Sequence, residues 1–332
     1  MPKQNQAKPF IKWVGGKGQL LATLETLLPA DIENCEGLTY VEPFVGGGAM
    51  LFFMLQRFKN NIERAVINDI NSNLVLAYRV VKNNPEQLVQ NLEKLQTFYY
   101  GISDEESRRA FYLQTRQKFN DGGLSDVDNT MYFFFLNRTC FNGLYRVNSK
   151  GNFNVPFGKY SQPTICDAAT IYADSELLQN VEICSGDFEQ MEKYVTANTF
   201  VYFDPPYRPL DATSNFNSYA KEAFNDAEQI RLKNFFAALS QKGAKLMLSN
   251  SDCKGRNPED DFFDELYKDF IIERVYASRF VNANAAKRGK LTELLIRNYP
   301  ATRRDALLTE NRNFTHNLNS TFYDESTYRR TV

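Results

Sequence analysis

Asp204-Pro205-Pro206-Tyr207 follows directly on the apolar run TFVYF. Two prolines cannot extend a strand ladder, so the chain must leave the sheet here, at the carboxyl end where open α/β sheets bind ligands. An acid is thereby fixed beside a rigid turn whose carbonyls lack competing local donors. Such a geometry answers one chemical problem well. An exocyclic amine on a purine or pyrimidine is a poor nucleophile, because its lone pair is delocalised into the ring. Hydrogen bonds from its N–H groups to the Asp204 carboxylate and the Pro205 carbonyl would localise that pair toward an electrophile, while Tyr207 stacks on the base. A plain strand-ending turn would use the same four residues.

Glu42-Pro43-Phe44-Val45-Gly46-Gly47-Gly48 forms a second constellation. Glycines after a first strand let a ligand approach the backbone, and an acid at the tip of the next strand can accept from ribose hydroxyls. Asp69 stands 23 residues beyond Gly46, near the spacing of about 20 that this arrangement uses. Three consecutive glycines are not G-x-G-x-x-G, which favours a single nucleoside-type cofactor over a dinucleotide. Trp13-Val14-Gly15-Gly16-Lys17 resembles part of a phosphate loop but lacks its first Gly and the Ser/Thr after Lys.

Other chemistries are poorly served. The single histidine, His316, lies in a polar tail, and the five cysteines (Cys35, Cys140, Cys166, Cys184, Cys253) form no C-x-x-C pair. Serine–histidine catalysis, histidine-based metal sites, zinc sites and disulfide frameworks therefore have no obvious residues, and no metal is expected. No cysteine follows a proline, as a nucleophile attacking a pyrimidine ring would require. The absence of a long apolar run or signal-peptide core points to a cytoplasmic protein with no membrane partner.

The elements that must position these residues alternate. Strand patterns at 39–45, 65–69, 181–186, 199–204, 244–250, 270–277 and 291–299 are separated in part by helices near 187–195 and 224–241. Strand–helix alternation predicts a mostly parallel, doubly wound α/β sheet. From Asn83 to about Pro163 the alternation gives way to three long helical patterns and an Asn/Gly/aromatic stretch, which reads as an inserted helical domain. Residues 1–82 and 164–300 would form the main domain, 83–163 the insertion, and 301–332 a polar tail. Net charge is −1, yet residues 1–20 and 136–163 carry four basic side chains each and no acid, and residues 273–304 carry eight against two acids. Converging on one face, these windows would make a groove for a polyanion; apart, they are solvated loops.

The segments FIKWVGGKGQLL, VEPFVGGGAM, INDINSNL, LNRTCFNGLYRVNSKGNFNVPFGKY, SGDFEQM, FVYFDPPYRPLDATSNFNSY and LMLSNSD occur in the order and spacing of the Dam-type N6-adenine DNA methyltransferases. The resemblance spans roughly residues 8–299 and is close to the GATC-methylating members. It implies a Rossmann-like S-adenosylmethionine-dependent sheet domain with an inserted helical target-recognition domain. Catalysis would fall to Asp204, Pro205, Pro206 and Tyr207. Cofactor contacts would come from Trp13 and Lys17, from Glu42, Pro43, Phe44, Gly46 and Gly48 on the methionine side, from Asp69 (the ribose acceptor) with Ile70, from Asp187 (the acceptor for the cofactor's adenine amine) with Phe188, and from Asp204 itself.

The DNA surface implied by the resemblance carries Lys12, Arg138, Phe141, Asn142, Leu144, Arg146, Asn148, Pro156 and Lys159. Arg146, projected by the Asn142-Gly143 turn of a tight hairpin, would read one guanine of GATC; Lys12 would approach the other, with Leu144 and Pro156 near thymine. Arg208 to Tyr219 resembles a loop that closes over a flipped base. Adenine N6 is engaged in pairing inside a duplex, so the base must flip out, and Phe141 is either the aromatic that fills the gap or a core residue after Phe133–Phe135. The expected reaction is methylation of adenine N6 in double-stranded DNA by direct transfer, with a cognate restriction endonuclease as a partner in function rather than a stable subunit. Cytosine N4, RNA adenine or a glutamine amide as acceptor, and a catalytically silent DNA-binding subunit, are the rival readings.

Overall fold

A computed structural model describes residues 6–208, 224–277 and 291–301. Seven strands form one sheet: β1 (Leu38–Glu42), β2 (Ile62–Asp69), β3 (Val181–Ser185), β4 (Thr199–Phe203), β5 (Lys245–Ser251), β6 (Ile271–Ala277) and β7 (Leu291–Arg297). Their order is β3-β2-β1-β4-β5-β7-β6. Strands β1 to β5 pair in parallel, whereas β7 runs antiparallel to both β5 and β6. This is the Rossmann-like arrangement expected, with one reversed strand that hydrophobic pattern alone does not reveal. Order reverses between β1 and β4, so the switch point lies where Glu42 ends one strand and Asp204 follows the other.

All five residues of β4 are buried, which is why TFVYF is continuously apolar rather than alternating. Alternate side chains go to opposite faces. Tyr40, Phe200 and Tyr202 join one apolar cluster, while Val41, Val201 and Phe203 join the other. The second face is covered by Leu232, Phe235 and Phe236 of a helix at Asp226–Gln241 and by Phe263 of a short one at Phe262–Leu266. Against the first face pack α1 (Leu21–Thr26), α2 (Ala49–Arg57) and α3 (Ser72–Asn83).

Beyond α3 come α4 (Pro85–Tyr100), α5 (Glu105–Asp121) and α6 (Asp126–Thr139), then α7 (Ala168–Leu178). Each start has a local cause: Pro85 occupies the first turn of α4, and the side chains of Asp104 and Ser125 accept from Ser107 N and Asp128 N. Phe133, Phe134 and Phe135 of α6 are buried, and the cluster on the first sheet face continues through them without a break. The helical block therefore shares its apolar core with the sheet.

Between α6 and α7 the chain forms two irregular antiparallel arms, bridged at Cys140–Phe157 and Val147–Phe153. Polar side chains on α5 hold the second arm. Tyr112 donates to Val155 O at 2.7 Å, and Asn120 exchanges hydrogen bonds of 3.0 and 2.8 Å with Phe153. The hairpin tip is at Asn148–Asn152, where the Asn148 side chain accepts from Lys150 N and Asn152 N. Asn142 and Gly143, expected to form the tight turn, both have positive φ but make a kinked single turn at the base of the first arm. Asn-Gly supplies left-handed backbone in either role; the Asx turn at Asn148 closes the loop instead.

Candidate functional site

The end of β1 and the end of β2 are tied together. Asp69 Oδ2 accepts from Gly46 N at 3.1 Å, and Asp69 Oδ1 accepts from Asn71 N at 2.9 Å. Asn71 in turn caps α3, its side chain accepting from Leu74 N at 3.1 Å. One acid thus sets both the glycine loop and the start of a helix, besides any role toward a ligand. Burial pushes the Asp69 carboxyl above its usual range. Gly46 (φ 48°) lies against the Trp13 indole, where a Cβ would come within 3.0 Å of Trp13 Cδ1; at Gly48 (φ 75°) a Cβ would collide with the Tyr78 hydroxyl. These two glycines are required by close approach as well as by backbone sign.

Glu42 is buried at the tip of β1, and its Oε2 has no hydrogen-bond partner among the described residues. Burial, reinforced by the charge of Asp204, raises its carboxyl well above the ordinary range. An unsatisfied buried carboxylate oxygen costs about 1–3 kcal/mol, so the position fits a ligand donor such as an ammonium group. Nearby, Phe44 and Phe188 approach with ring centroids 5.3 Å apart. Asp187 accepts from Arg231 at 3.0 and 2.7 Å, which holds its carboxyl below the usual range, and the same guanidinium covers the Phe188 ring at 4.2 Å. Ile70 is exposed beside Asp69. The ends of β1 and β2 and the turn after β3 thus carry acids, aromatic rings and a close-packed glycine loop.

Lys17 reaches the Asp-Pro-Pro-Tyr turn. It is 4% exposed, and its Nζ lies 2.8 Å from Asp204 Oδ1, 3.9 Å from Glu293 Oε2 and 4.5 Å from the Tyr207 ring centroid. Tyr207 donates its hydroxyl to Glu293 at 2.9 Å. Burial raises the Asp204 carboxyl above the usual range, although the Lys17 ammonium pulls the other way. Of the two proline carbonyls, that of Pro206 accepts from Gln229 Nε2 at 3.1 Å. That donor is not local to the turn: it comes from a helix 23 residues further on, where Gln229 is fully buried and must spend its amide.

Lys12 and the Phe141–Pro156 arms are brought together by Asn137, a buried residue of α6. Its side chain accepts from Lys12 N at 3.0 Å and donates to Lys12 O at 2.9 Å and Gly143 O at 3.1 Å. Phe141 is 48% exposed, unlike its Phe133–Phe135 neighbours. Phe141 N donates to Pro156 O at 2.9 Å, so Phe141 and the exposed Pro156 stand side by side, with Leu144 partly buried behind them. Arg146 is exposed and steadied by Asn154, through Nε to Oδ1 at 2.7 Å. Three other positions expected on the DNA surface have local partners. Arg138 donates to Phe10 O at 2.7 Å, Asn148 shapes the hairpin tip, and Lys159 pairs with Glu105 at 3.0 Å. Arg208 is anchored to Asp226 and Asp260 at 2.8 and 2.6 Å; the rest of the expected closing loop, 209–219, lies outside the described residues, as do 278–290 of the third basic window and 302–332 of the tail.

Sequence reasoning did not single out Glu293, Asn137, Arg231 or Tyr78. Each is a polar residue within an otherwise apolar or helical pattern, and only its tertiary partner gives it meaning. Among the described residues no group of three or more His, Cys, Asp or Glu is arranged to hold a metal, and no helix is long and apolar enough to cross a membrane. Burial raises the thiols of Cys140 and Cys166 to about 11, so neither supplies a thiolate at neutral pH.

Strand order, switch-point crevice and strand-end acids define a Rossmann-like methyltransferase, a class whose methyl donor is S-adenosylmethionine. Residues 13–280 match the profile of the D12 class N6 adenine-specific DNA methyltransferases, and the chain belongs to that family. It is 47% identical over 297 residues to the type II methyltransferase M.MjaIII of Methanocaldococcus jannaschii, covering 89% of this chain and 100% of that protein. It is 42% identical over 297 residues to the type II methyltransferase M1.LlaDCHI of Lactococcus lactis subsp. cremoris, covering 88% and 95%. The DNA adenine methylase of Escherichia coli (strain K12) is 32% identical over 294 residues, covering 88% and 95%. The chain is thus an adenine-specific DNA methyltransferase.

Proposed function

We propose that this enzyme methylates adenine N6 within GATC in double-stranded DNA, by flipping the base and transferring the methyl group directly. The observation that carries the reading is the Asp204 carboxylate at the switch point, beside a tyrosine ring and a strand-end crevice with an unsatisfied acid. S-adenosylmethionine supplies an electrophilic methyl group when bound. Glu42 would accept from its methionine ammonium, Asp69 from ribose hydroxyls and Asp187 from its adenine amine, with Trp13, Lys17, Pro43, Phe44, Gly46, Gly48, Ile70 and Phe188 enclosing it.

The flipped adenine would stack on Tyr207, its amine donating to Asp204 and to the Pro205 carbonyl while Pro206 completes the turn. Those bonds would localise the N6 lone pair and aim it at the methyl group that the bound cofactor would supply. The proton that N6 then sheds goes to Asp204, whose raised pKa suits it to hold a proton, and from there to water. Base flipping is the route by which enzymes reach atoms held inside a duplex. Exposed Phe141 is the candidate to fill the gap, with Leu144 and Pro156 beside it and Arg146 and Lys12 reading guanines. Residues 83–163 would form the target-recognition region, in which Arg138, Asn142, Asn148 and Lys159 shape or line the DNA face. A restriction endonuclease acting on the same site is a candidate functional partner, and the enzyme would work in the cytoplasm, where its DNA substrate lies.

Single-turnover methylation by Asp204→Ala tests the catalytic assignment. Transfer should be lost while S-adenosylmethionine binding persists. Near-normal single-turnover rates would refute it.

A further inference from the structure

We propose that Glu293, on β7, is a positioning residue of the methyl-transfer site: it fixes the Tyr207 hydroxyl and takes over the Lys17 ammonium as Asp204 turns to the substrate amine. The proposal rests on Asp204 being the amine acceptor. Its basis is geometric. A nearly buried ammonium stands between two carboxylates, 2.8 Å from Asp204 and 3.9 Å from Glu293, and the farther carboxylate already holds Tyr207 at 2.9 Å. Glu293 lies in an antiparallel strand, paired with Ser251 of β5 and Val275 of β6, which fixes its height above the sheet.

The arrangement solves a conflict in the site. Asp204 must be free to accept an amine N–H, yet an adjacent lysine already holds one of its two oxygens, Oδ1. A lone buried carboxylate–ammonium pair is costly to break, because each charge would be left without a partner. With Glu293 in place, Lys17 needs to shift only about the 1 Å that separates its two distances to exchange one carboxylate for the other. The ammonium also sits over the Tyr207 ring, so it steadies one face of the ring while Glu293 steadies the hydroxyl. Glu293 itself touches neither base nor methyl group in this account.

Asp204 is faced by Lys17 from the N-terminal segment, Tyr202 on β4, Tyr207 in its own turn, Glu42 on β1 and Glu293 on β7. Among these, Glu293 raises the Asp204 carboxyl and Lys17 lowers it. Removing the Glu293 charge alone should therefore shift the acid limb of activity to lower pH while slowing transfer. A residue that merely packs the strand would not produce that combination.

The experiment measures single-turnover rate, KM for DNA, S-adenosylmethionine affinity and the pH profile for Glu293→Gln, Glu293→Ala, Tyr207→Phe and the Tyr207→Phe/Glu293→Ala double variant. Glu293→Gln keeps an acceptor for Tyr207 and should cut the rate about tenfold, with DNA KM and cofactor affinity within about twofold and the acid limb moved down. Glu293→Ala should cut it further, and adding Tyr207→Phe should cost little more, as expected for residues acting through one contact. A normal rate and unmoved acid limb in Glu293→Gln, or full additivity in the double variant, would overturn the proposal. Should the alanine variant fail to fold, a normal rate in Tyr207→Phe overturns the hydroxyl's part alone, and Glu293→Gln still decides the rest. An active Asp204→Ala would instead remove the reading on which the proposal rests, whatever Glu293 does.

Discussion

Lys17 and Asp204 face each other at 2.8 Å across the mouth of the switch point, the lysine almost wholly buried. The pairing gives the N-terminal segment a part in controlling when the acid is ionised. Burial already raises the Asp204 carboxyl, and Lys17 is the main influence lowering it. The acceptor works ionised, so activity should appear as pH rises through the Asp204 pKa. Replacing Lys17 with Met removes the lowering influence, and the acid limb of kcat/KM should move to higher pH. A limb that stays put or moves down would contradict this assignment.

Asp69→Ala should weaken S-adenosylmethionine binding by about 1.5–3 kcal/mol, the scale of hydrogen bonds to a charged group, with DNA binding little changed. The carboxylate also ties Gly46 to Asn71, so the variant should unfold at lower denaturant concentration even without cofactor. Calorimetric titration of each ligand, with an apo unfolding curve, checks both parts. Equal weakening of both ligands would signal a general folding defect rather than loss of a cofactor contact.

Asp174 offers a stability test away from the site. It is fully buried on α7, accepts from Lys8 N at 3.1 Å, and has an Oδ2 with no hydrogen-bond partner among the described residues. Burial pushes its carboxyl up to about 8. Between the ordinary aspartate range and that value the folded state holds the proton and the unfolded chain does not, so this group makes stability fall as pH rises through the window. Asp174→Asn keeps the acceptor for Lys8 and should be more stable than the parent at pH 7 to 8, the difference vanishing toward pH 4. Denaturant midpoints across that range decide it, and a destabilised variant at pH 8 would contradict the account.

Arg146→Ala separates base reading from phosphate contact. A guanidinium bonded to guanine O6 and N7 discriminates by about 1–3 kcal/mol, so selectivity at one base pair should relax while rates on other near-cognate sites keep their ranking. A uniform fall on GATC and all its single-base variants would assign Arg146 to the backbone instead. In the free enzyme Arg146 is held by Asn154, so Asn154→Ala should show a weaker form of the same pattern.

What was legible in the sequence follows from which physical signals are local. Strand-ending prolines at 205 and 206, three glycines after an apolar strand and an acid closing the next strand each act through neighbouring backbone, and the structure puts all of them at the strand ends. The reversed direction of β7 was not legible, because an apolar strand reads the same both ways. Glu293 sits between Thr292 and Leu294 as one acid in such a strand, with nothing local to mark its meeting with Tyr207. Asn142-Gly143 carried a real backbone signal, positive φ at both residues, yet Asn148 closes the hairpin. For Phe141, three buried phenylalanines just upstream favoured a core position on pattern alone, whereas it is exposed just past the end of α6. The placement of Trp13 and Lys17 came from resemblance, since no spacing rule links residue 17 to residue 204.

Methylation sequencing of plasmid DNA from cells expressing this chain, beside the Asp204→Ala variant, tests the central claim most directly. N6-methyladenine should occupy GATC sites throughout the plasmid and be missing from the variant's DNA. Methylation of a different motif, of cytosine N4, or at the same level in the Asp204→Ala strain would contradict the account.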